Sequence, residues 1–159
     1  MTSQFARLPL FQIARESYAA MGRFAQTVTQ SALRSGVEAE VVHLVKIRVS
    51  QVNGCAYCID MHIIDAHAAG VTAQRVYLLD AWRHSPRFFS EPEQAALGLA
   101  EALTLLGTDA VDDDVYQRAR KHFSEEQTAH LIFVATVMNA WNRLAISARL
   151  APGGYKGRS

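Results

Sequence analysis

Apolar residues recur every three to four positions along most of this chain, and that period predicts helices from end to end. From about Ile13 to Ser35 they fall at Ala14, Tyr18, Met21, Phe24, Ala25, Val28 and Ala32, with Gly36 as a stop. Gly22 weakens the middle of that helix by about 1 kcal/mol against alanine. Glu38 to Gln51 predicts a second helix, acidic in its first turn, with a buried stripe of Val41, Leu44, Val45 and Val49; Lys46 and Arg48 lie off that stripe. Its β-branched residues suit a strand too, but length and spacing favour helix. Asn53-Gly54 is a turn signal, and no helix breaker follows from Ala56 to Ala69. A third helix is therefore expected to begin near Cys55 and to be capped at Gly70.

Further along, Thr72 can cap a helix running to about Trp82, and His84 to Phe89, with Pro86, reads as a loop. Ser90-Glu91-Pro92-Glu93 and Ser124-Glu125-Glu126-Gln127 are capping-box patterns that open helices to about Leu106 and Leu150. Asp112-Asp113-Asp114 marks the start of another helix, to about His122. The last helix carries an apolar face of Leu131, Phe133, Val134, Val137, Met138, Trp141 and Leu144. Met1 to Leu10 reads as an irregular lead-in, Gly107 to Ala110 as a turn, and Ala151 to Ser159 as a mobile tail. The prediction is an all-α domain of about six to seven helices with its core over roughly residues 10–150. The βαβ rhythm of a thioredoxin-like sheet does not occur.

Composition narrows the function. With 159 residues, half of them apolar, a single domain with a sizeable core is expected. A formal net charge of +1 leaves no footprint for nucleic acid. No apolar stretch reads as membrane-spanning, and the N-terminal region, with Arg7 and Pro9, lacks the apolar core of a signal peptide. A cytoplasmic protein with no membrane association is the expectation. The two cysteines, three apart, then point to redox chemistry or metal binding more than to a structural staple.

At about 100° per residue, Cys55, Cys58 and His62 share one helix face. The N-terminal dipole favours thiolate there, and His62 is one turn along, where it can take or give a proton. A thiolate, a proton donor and a second thiol are what peroxide reduction needs. The helix start favours Cys55 as the attacking sulfur; His62 favours Cys58. Three other readings stand beside this one: three of four zinc ligands, two structural cysteines with a core histidine, and a protein-disulfide reductase. His67 and His84 read as structural or surface residues, and Tyr57, Trp82 and Trp141 as packing or interface aromatics. Asn142 and Arg143 are candidates for binding a substrate, with a helix-end hydrogen bond or a subunit contact the preferred reading.

The run Lys46-Ile47-Arg48-Val49-Ser50-Gln51-Val52-Asn53-Gly54-Cys55-Ala56-Tyr57-Cys58, followed by Asp60-Met61-His62, resembles the alkylhydroperoxidase D-like branch of the carboxymuconolactone decarboxylase family. So do Trp82-Arg83-His84-Ser85 and Asn139-Ala140-Trp141-Asn142-Arg143-Leu144. The resemblance covers roughly Leu10 to Leu150. It implies a peroxidase with Cys58 as the attacking thiolate, Cys55 as the resolving thiol and His62 as proton carrier to an acidic residue on the preceding helix. It also implies a homo-oligomer, commonly a trimer or hexamer, and a hydroperoxide substrate. An external thiol donor, lipoylated or thioredoxin-like, would recharge it, and no metal, flavin or haem is implied. The family usually has a glutamate twelve positions before the first cysteine; here that position is His43. Glu40, one turn earlier, can stand in or orient His43. Tyr57 stands where some relatives have a histidine. A non-redox member of the same fold, decarboxylase-like or an interaction protein, is a further class, though paired thiols argue against a decarboxylase.

Overall fold

The structure is a computed structural model that describes residues 7–107 and 110–157. Among the described residues it is all-α, with eight α-helices and no strand. These are α1 (Leu10–Ile13), α2 (Arg15–Arg34), α3 (Ala39–Asn53), α4 (Ala56–Ala68), α5 (Ala73–Leu78), α6 (Glu91–Thr104), α7 (Asp113–His122) and α8 (Glu125–Ala148). A 3₁₀ stretch, Leu79–His84, follows α5.

The count exceeds the expected six to seven for a local reason. Ala14 leaves helical geometry (φ −99°, ψ 50°) and splits the first helix, which sets Phe11 against Tyr18 with ring centroids 4.8 Å apart. The helix expected to run from Thr72 to Trp82 is α-helical only to Leu78, and its 3₁₀ continuation kinks at Ala81. That winding turns Trp82 inward, where its indole Nε1 donates to Glu101 at 2.9 Å. Both capping boxes form, with Ser90 and Ser124 each exchanging hydrogen bonds with the residue three on. Asp112 caps α7 by accepting from the Asp114 N–H at 2.7 Å. Residues 1–6 of the expected lead-in, 108–109 of the expected turn and 158–159 of the expected tail lie outside the described residues.

α3 is the hub, packed against α4, α6 and α8. Its valines 41, 42, 45 and 49 join Val28, Leu99, Leu131, Val134 and Met138 in one apolar cluster. Leu44 and Ile47 join Val71, Leu79, Trp82, Phe89 and Leu97 in a second. A helix buried on both sides needs no single stripe, which explains why Val42 and Ile47, outside the expected stripe, are fully buried.

α8 is long and apolar enough to cross a membrane by length and composition, contrary to the expectation from the sequence. It lies inside the helical bundle instead, against α2, α3 and α6, with Asn139 and Asn142 buried on its inner face. Phe133, expected on that face, is 50% exposed and meets Phe24 edge-on at 6.3 Å.

Beyond α8, the tail carries two hydrogen bonds onto α4. The Gly153 N–H donates to Asp60 at 2.8 Å, and the Tyr155 hydroxyl donates to Asp65 at 2.7 Å.

Candidate active site

The site begins at a corner. Gly54 adopts a left-handed conformation (φ 69°), which glycine reaches without strain. Gly54 N–H bonds Gln51 C=O at 3.0 Å and Cys55 N–H bonds Ser50 C=O at 2.9 Å, closing α3 in a Schellman pattern. The chain enters α4 at the next residue but one, with Cys55 as its N-cap. α4 thereby folds back on α3, and Cys58 and His62, one turn apart, are both buried.

Both cysteines are free thiols, each 2% exposed. The sequence reading expected the helix start to favour thiolate; the opposite holds at Cys58. Burial pushes its thiol up to about 12, the hydrogen bond and charge of Cys55 add to that, and the hydrogen bond from Asn142 opposes it. Desolvation of a charged sulfur inside the apolar cluster outweighs the partial charge of a helix end. Cys58 therefore rests as a protonated thiol beside Cys55. Alkylation of Cys58 by iodoacetamide, followed by peptide mass spectrometry, is therefore expected to rise continuously from pH 7 to 10. A plateau reached below pH 8 would mean a thiolate at neutral pH instead.

A buried amide network holds this corner to α8. Asn53 Nδ2 donates to Asn139 Oδ1 at 2.8 Å and to Asn142 Oδ1 at 2.9 Å. Asn142 Nδ2 donates to Ser50 Oγ at 3.1 Å, and Asn139 Nδ2 donates to Thr104 Oγ1 at 3.1 Å. Asn142 thus belongs to the site, not to a helix end. No spacing rule joins it to residues nearly ninety positions away.

Cys58 and His62 line a cavity of about 710 Å³. Its walls are mostly apolar: Phe11 from α1, Tyr18 and Val28 from α2, Tyr57 and Met61 from α4, and Val134, Met138 and Trp141 from α8. Tyr18 and Trp141 meet edge-on at 5.6 Å. Tyr57 and Trp141, read from sequence as packing or interface residues, therefore face the cavity, whereas Trp82 sits in the second apolar cluster. Gly22 lines the cavity as well; a Cβ there would meet nothing within 4 Å and would project into the space. Cys55, His43 and Glu40 do not line it.

The structure brings together Cys55, Cys58 and His62 but sends Glu40 elsewhere. The Arg75 guanidinium donates to Glu40 and to Glu93, and its Nε donates to the Phe88 carbonyl at 3.0 Å. The turn that aims Glu40 at α5 takes its carboxylate away from the dithiol. His43 is half-buried on α3. His67 Nδ1 lies 2.8 Å from the Val71 carbonyl, and His84 is exposed. Lys46, set aside in the sequence reading, lines the cavity on the same wall system as Cys58 and His62. Among the described residues no three His, Cys, Asp or Glu side chains form a group that could hold a metal ion.

Residues 15–102, more than half of the chain, match the carboxymuconolactone decarboxylase family. YdfG of Bacillus subtilis (strain 168) is 41% identical over 141 residues, 89% of this chain and 92% of that protein. YnjA of Escherichia coli (strain K12) is 28% identical over 106 residues, 67% of this chain; the chain spans 57% of that longer protein. A protein of unknown function from Agrobacterium tumefaciens, proposed to be the antioxidant defence protein AhpD, superposes with a TM-score of 0.83. Its identity is 30%, over 95% of this chain and 100% of that one. The debrominase Bmp8 shares the fold at a TM-score of 0.76 and 20% identity, over 91% of this chain and 75% of that one. This chain belongs to the carboxymuconolactone decarboxylase family, in its alkylhydroperoxidase D-like branch.

Proposed function

We propose that the chain is a thiol-dependent peroxidase that reduces an organic hydroperoxide through Cys58 and Cys55. One observation carries the reading: Cys58 and His62 share the wall of a largely apolar cavity, while Cys55 hydrogen-bonds to Cys58 from outside that wall. A hydroperoxide in the cavity meets Cys58 first, which supports Cys58 as the attacking sulfur.

The steps follow from the chemistry of the groups. His62 accepts the Cys58 proton as the sulfur attacks the terminal peroxide oxygen, and the Asn142 amide favours the charge that forms on sulfur. The O–O bond breaks, His62 returns the proton to the leaving alkoxide, and the products are an alcohol and a Cys58 sulfenic acid. Cys55 then attacks that sulfur and its proton leaves with the hydroxyl as water, closing a Cys55–Cys58 disulfide. Two electrons from an external dithiol restore the pair by exchange. His43 on α3 is the remaining candidate to pass protons beyond His62; Glu40, held by Arg75, is not placed for it. Thiolate at Cys58 must be generated at each turnover, so a modest rate is expected.

The same burial weighs against a protein-disulfide reductase. A bulky protein disulfide cannot reach a sulfur that is 2% exposed, whereas a slim dithiol such as a lipoyl arm can follow the cavity. A lipoylated donor is thus favoured over a thioredoxin-like one, and the assembly into a trimer or hexamer remains part of the proposal. The test compares two assays on one preparation: cumene hydroperoxide loss with dihydrolipoamide as donor, and reduction of insulin disulfides. Consumption of hydroperoxide and dihydrolipoamide one for one, without comparable insulin reduction, is expected. The reverse pattern would make the protein a disulfide reductase.

A further inference from the structure

Asn53 reads from sequence as half of a turn signal, but the turn makes no use of its side chain. Gly54 takes the left-handed conformation, and Asn53 still belongs to α3. Its carboxamide reaches α8 instead, between Asn139 and Asn142. Which way round these amides face decides what Asn142 offers to Cys58.

The direction is set by groups that have no choice. The Ala135 carbonyl can only accept, and the Arg143 guanidinium can only donate. Asn139 Nδ2 donates to that carbonyl at 3.0 Å, and Arg143 Nη1 donates to Asn139 Oδ1 at 3.2 Å. Asn139 therefore turns its oxygen to Asn53, which answers with its NH2 group at 2.8 Å. The second hydrogen of that group goes to Asn142 Oδ1 at 2.9 Å. Asn142, fully buried, then turns its own NH2 away from Asn53, with one hydrogen on Ser50 Oγ at 3.1 Å and the other on Cys58. Ser50 Oγ is free to accept because its proton is given to the Lys46 backbone carbonyl at 2.8 Å.

We propose that Asn53 is a positioning residue for the attacking sulfur: it holds the Asn142 carboxamide in the orientation that aims an N–H, and not a C=O, at Cys58. That role deepens the peroxidase reading and rests on it for which sulfur attacks. An N–H favours the thiolate that has to form; a C=O in the same place would accept from the S–H and oppose it. The titratable groups near Cys58 are Cys55, Tyr57 and His62 on α4, with Lys46 of α3 and Tyr18 of α2 on the same cavity wall. The residues that α8 gives to that wall are uncharged, so its amide is what α8 brings to the sulfur. Loss of one hydrogen bond to a charged group lowers the thiolate fraction about tenfold, and the more basic sulfur recovers about threefold of that in nucleophilicity. The net loss in reaction rate is about threefold.

The test measures the second-order rate of Cys58 alkylation by iodoacetamide from pH 7 to 10, by peptide mass spectrometry. It runs on the wild type, Asn53→Ala, Asn53→Asp, Asn142→Ala and the double variant Asn53→Ala with Asn142→Ala. Asn53→Ala should be slower by about threefold throughout that range. Asn53→Asp has the same shape but no donor; it should draw the Asn142 NH2 to itself, turn the C=O to Cys58 and slow alkylation about tenfold. The double variant should be no slower than Asn142→Ala, because Asn53 acts through that amide. Packing that is merely loosened would expose the sulfur and speed alkylation. Rates in Asn53→Asp equal to or above the wild type, or losses that add in the double variant, overturn the proposal. The wild type decides alone if the variants do not fold: a nuclear Overhauser contact between an Asn142 side-chain NH2 proton and the Cys58 β protons is expected, and its absence overturns the orientation. Slowed alkylation in the variants, with no hydroperoxide turnover by the wild type, would sink the peroxidase reading and leave the orienting role of Asn53 standing.

Discussion

Replacing Cys58 by serine stops hydroperoxide turnover: with saturating dihydrolipoamide the rate is expected to fall about a thousandfold or more, as for loss of a covalent nucleophile. Cys55→Ser behaves differently. It should consume one hydroperoxide per chain in a first burst and then run slowly, because the sulfenic acid on Cys58 has no neighbouring thiol to expel water. The asymmetry follows from where the two sulfurs lie. Cys58 lines the cavity; Cys55, equally buried, does not. Stopped-flow measurement of hydroperoxide loss separates burst from steady state. Equal activity in both variants, or a burst in Cys58→Ser with none in Cys55→Ser, would reverse or remove these roles.

The largest loss of stability is expected at Glu101. Its carboxylate accepts from Arg48 Nε, from Trp82 Nε1 at 2.9 Å and from Arg83, and its side chain is 8% exposed. Glu101→Ala leaves the Arg48 guanidinium and the Trp82 indole N–H buried with that partner gone, at a cost of about 3–5 kcal/mol. That is a large share of the stability of a domain of this size. Asp80 binds the same arginine from the outside, 80% exposed, and Asp80→Ala should cost no more than about 1 kcal/mol. Urea unfolding midpoints measure both.

The pH dependence of Glu101 has a definite sign. Burial acts to raise its carboxyl, but hydrogen bonds from Trp82, Arg48 and Arg83 outweigh it and hold the group below its usual range. Its contribution is therefore present above the unfolded carboxyl value, near 4.5, and is lost as the pH falls through the lower folded value. The gap between wild type and Glu101→Ala should be full at pH 7 and shrink in acid. A gap under 1 kcal/mol at pH 7, or one that widens in acid, would contradict this account.

What the sequence shows well is what lies within one helix and its caps. Ser90 with Glu93, Ser124 with Gln127, and Gly54 each signal their geometry within a few residues, and each forms as read. The shared face of Cys58 and His62 is likewise a matter of helical period. What the sequence hides lies between helices. Glu40 is one turn from His43 and looks like its partner, but Arg75, thirty-five positions on, takes the carboxylate. Lys46 and Arg48 lie off the apolar stripe of α3, and the stripe says nothing of what they meet. One faces the cavity beside Thr29 and the other meets Glu101.

Energy balances are hidden in the same way. A helix start argues for a thiolate, and only the packing of the apolar cluster around Cys58 shows that desolvation wins. The 3₁₀ winding after Leu78 goes together with the Trp82–Glu101 hydrogen bond, a contact between segments nineteen residues apart. Phe133 has the spacing of a core residue but is half exposed and meets Phe24, because Leu131, Val134 and Ala135 supply the inner face of α8 at that level.

The central claim is that Cys58 and Cys55 form one two-electron unit reached through the cavity. Its most direct test adds one equivalent of cumene hydroperoxide to the reduced protein and follows free thiols and intact mass together, on the wild type and on Cys55→Ser. The account predicts loss of both thiols to an internal Cys55–Cys58 disulfide in the wild type, and one added oxygen located on Cys58 in Cys55→Ser. Thiols that persist at full count after hydroperoxide, or an oxygen located on Cys55, would contradict it.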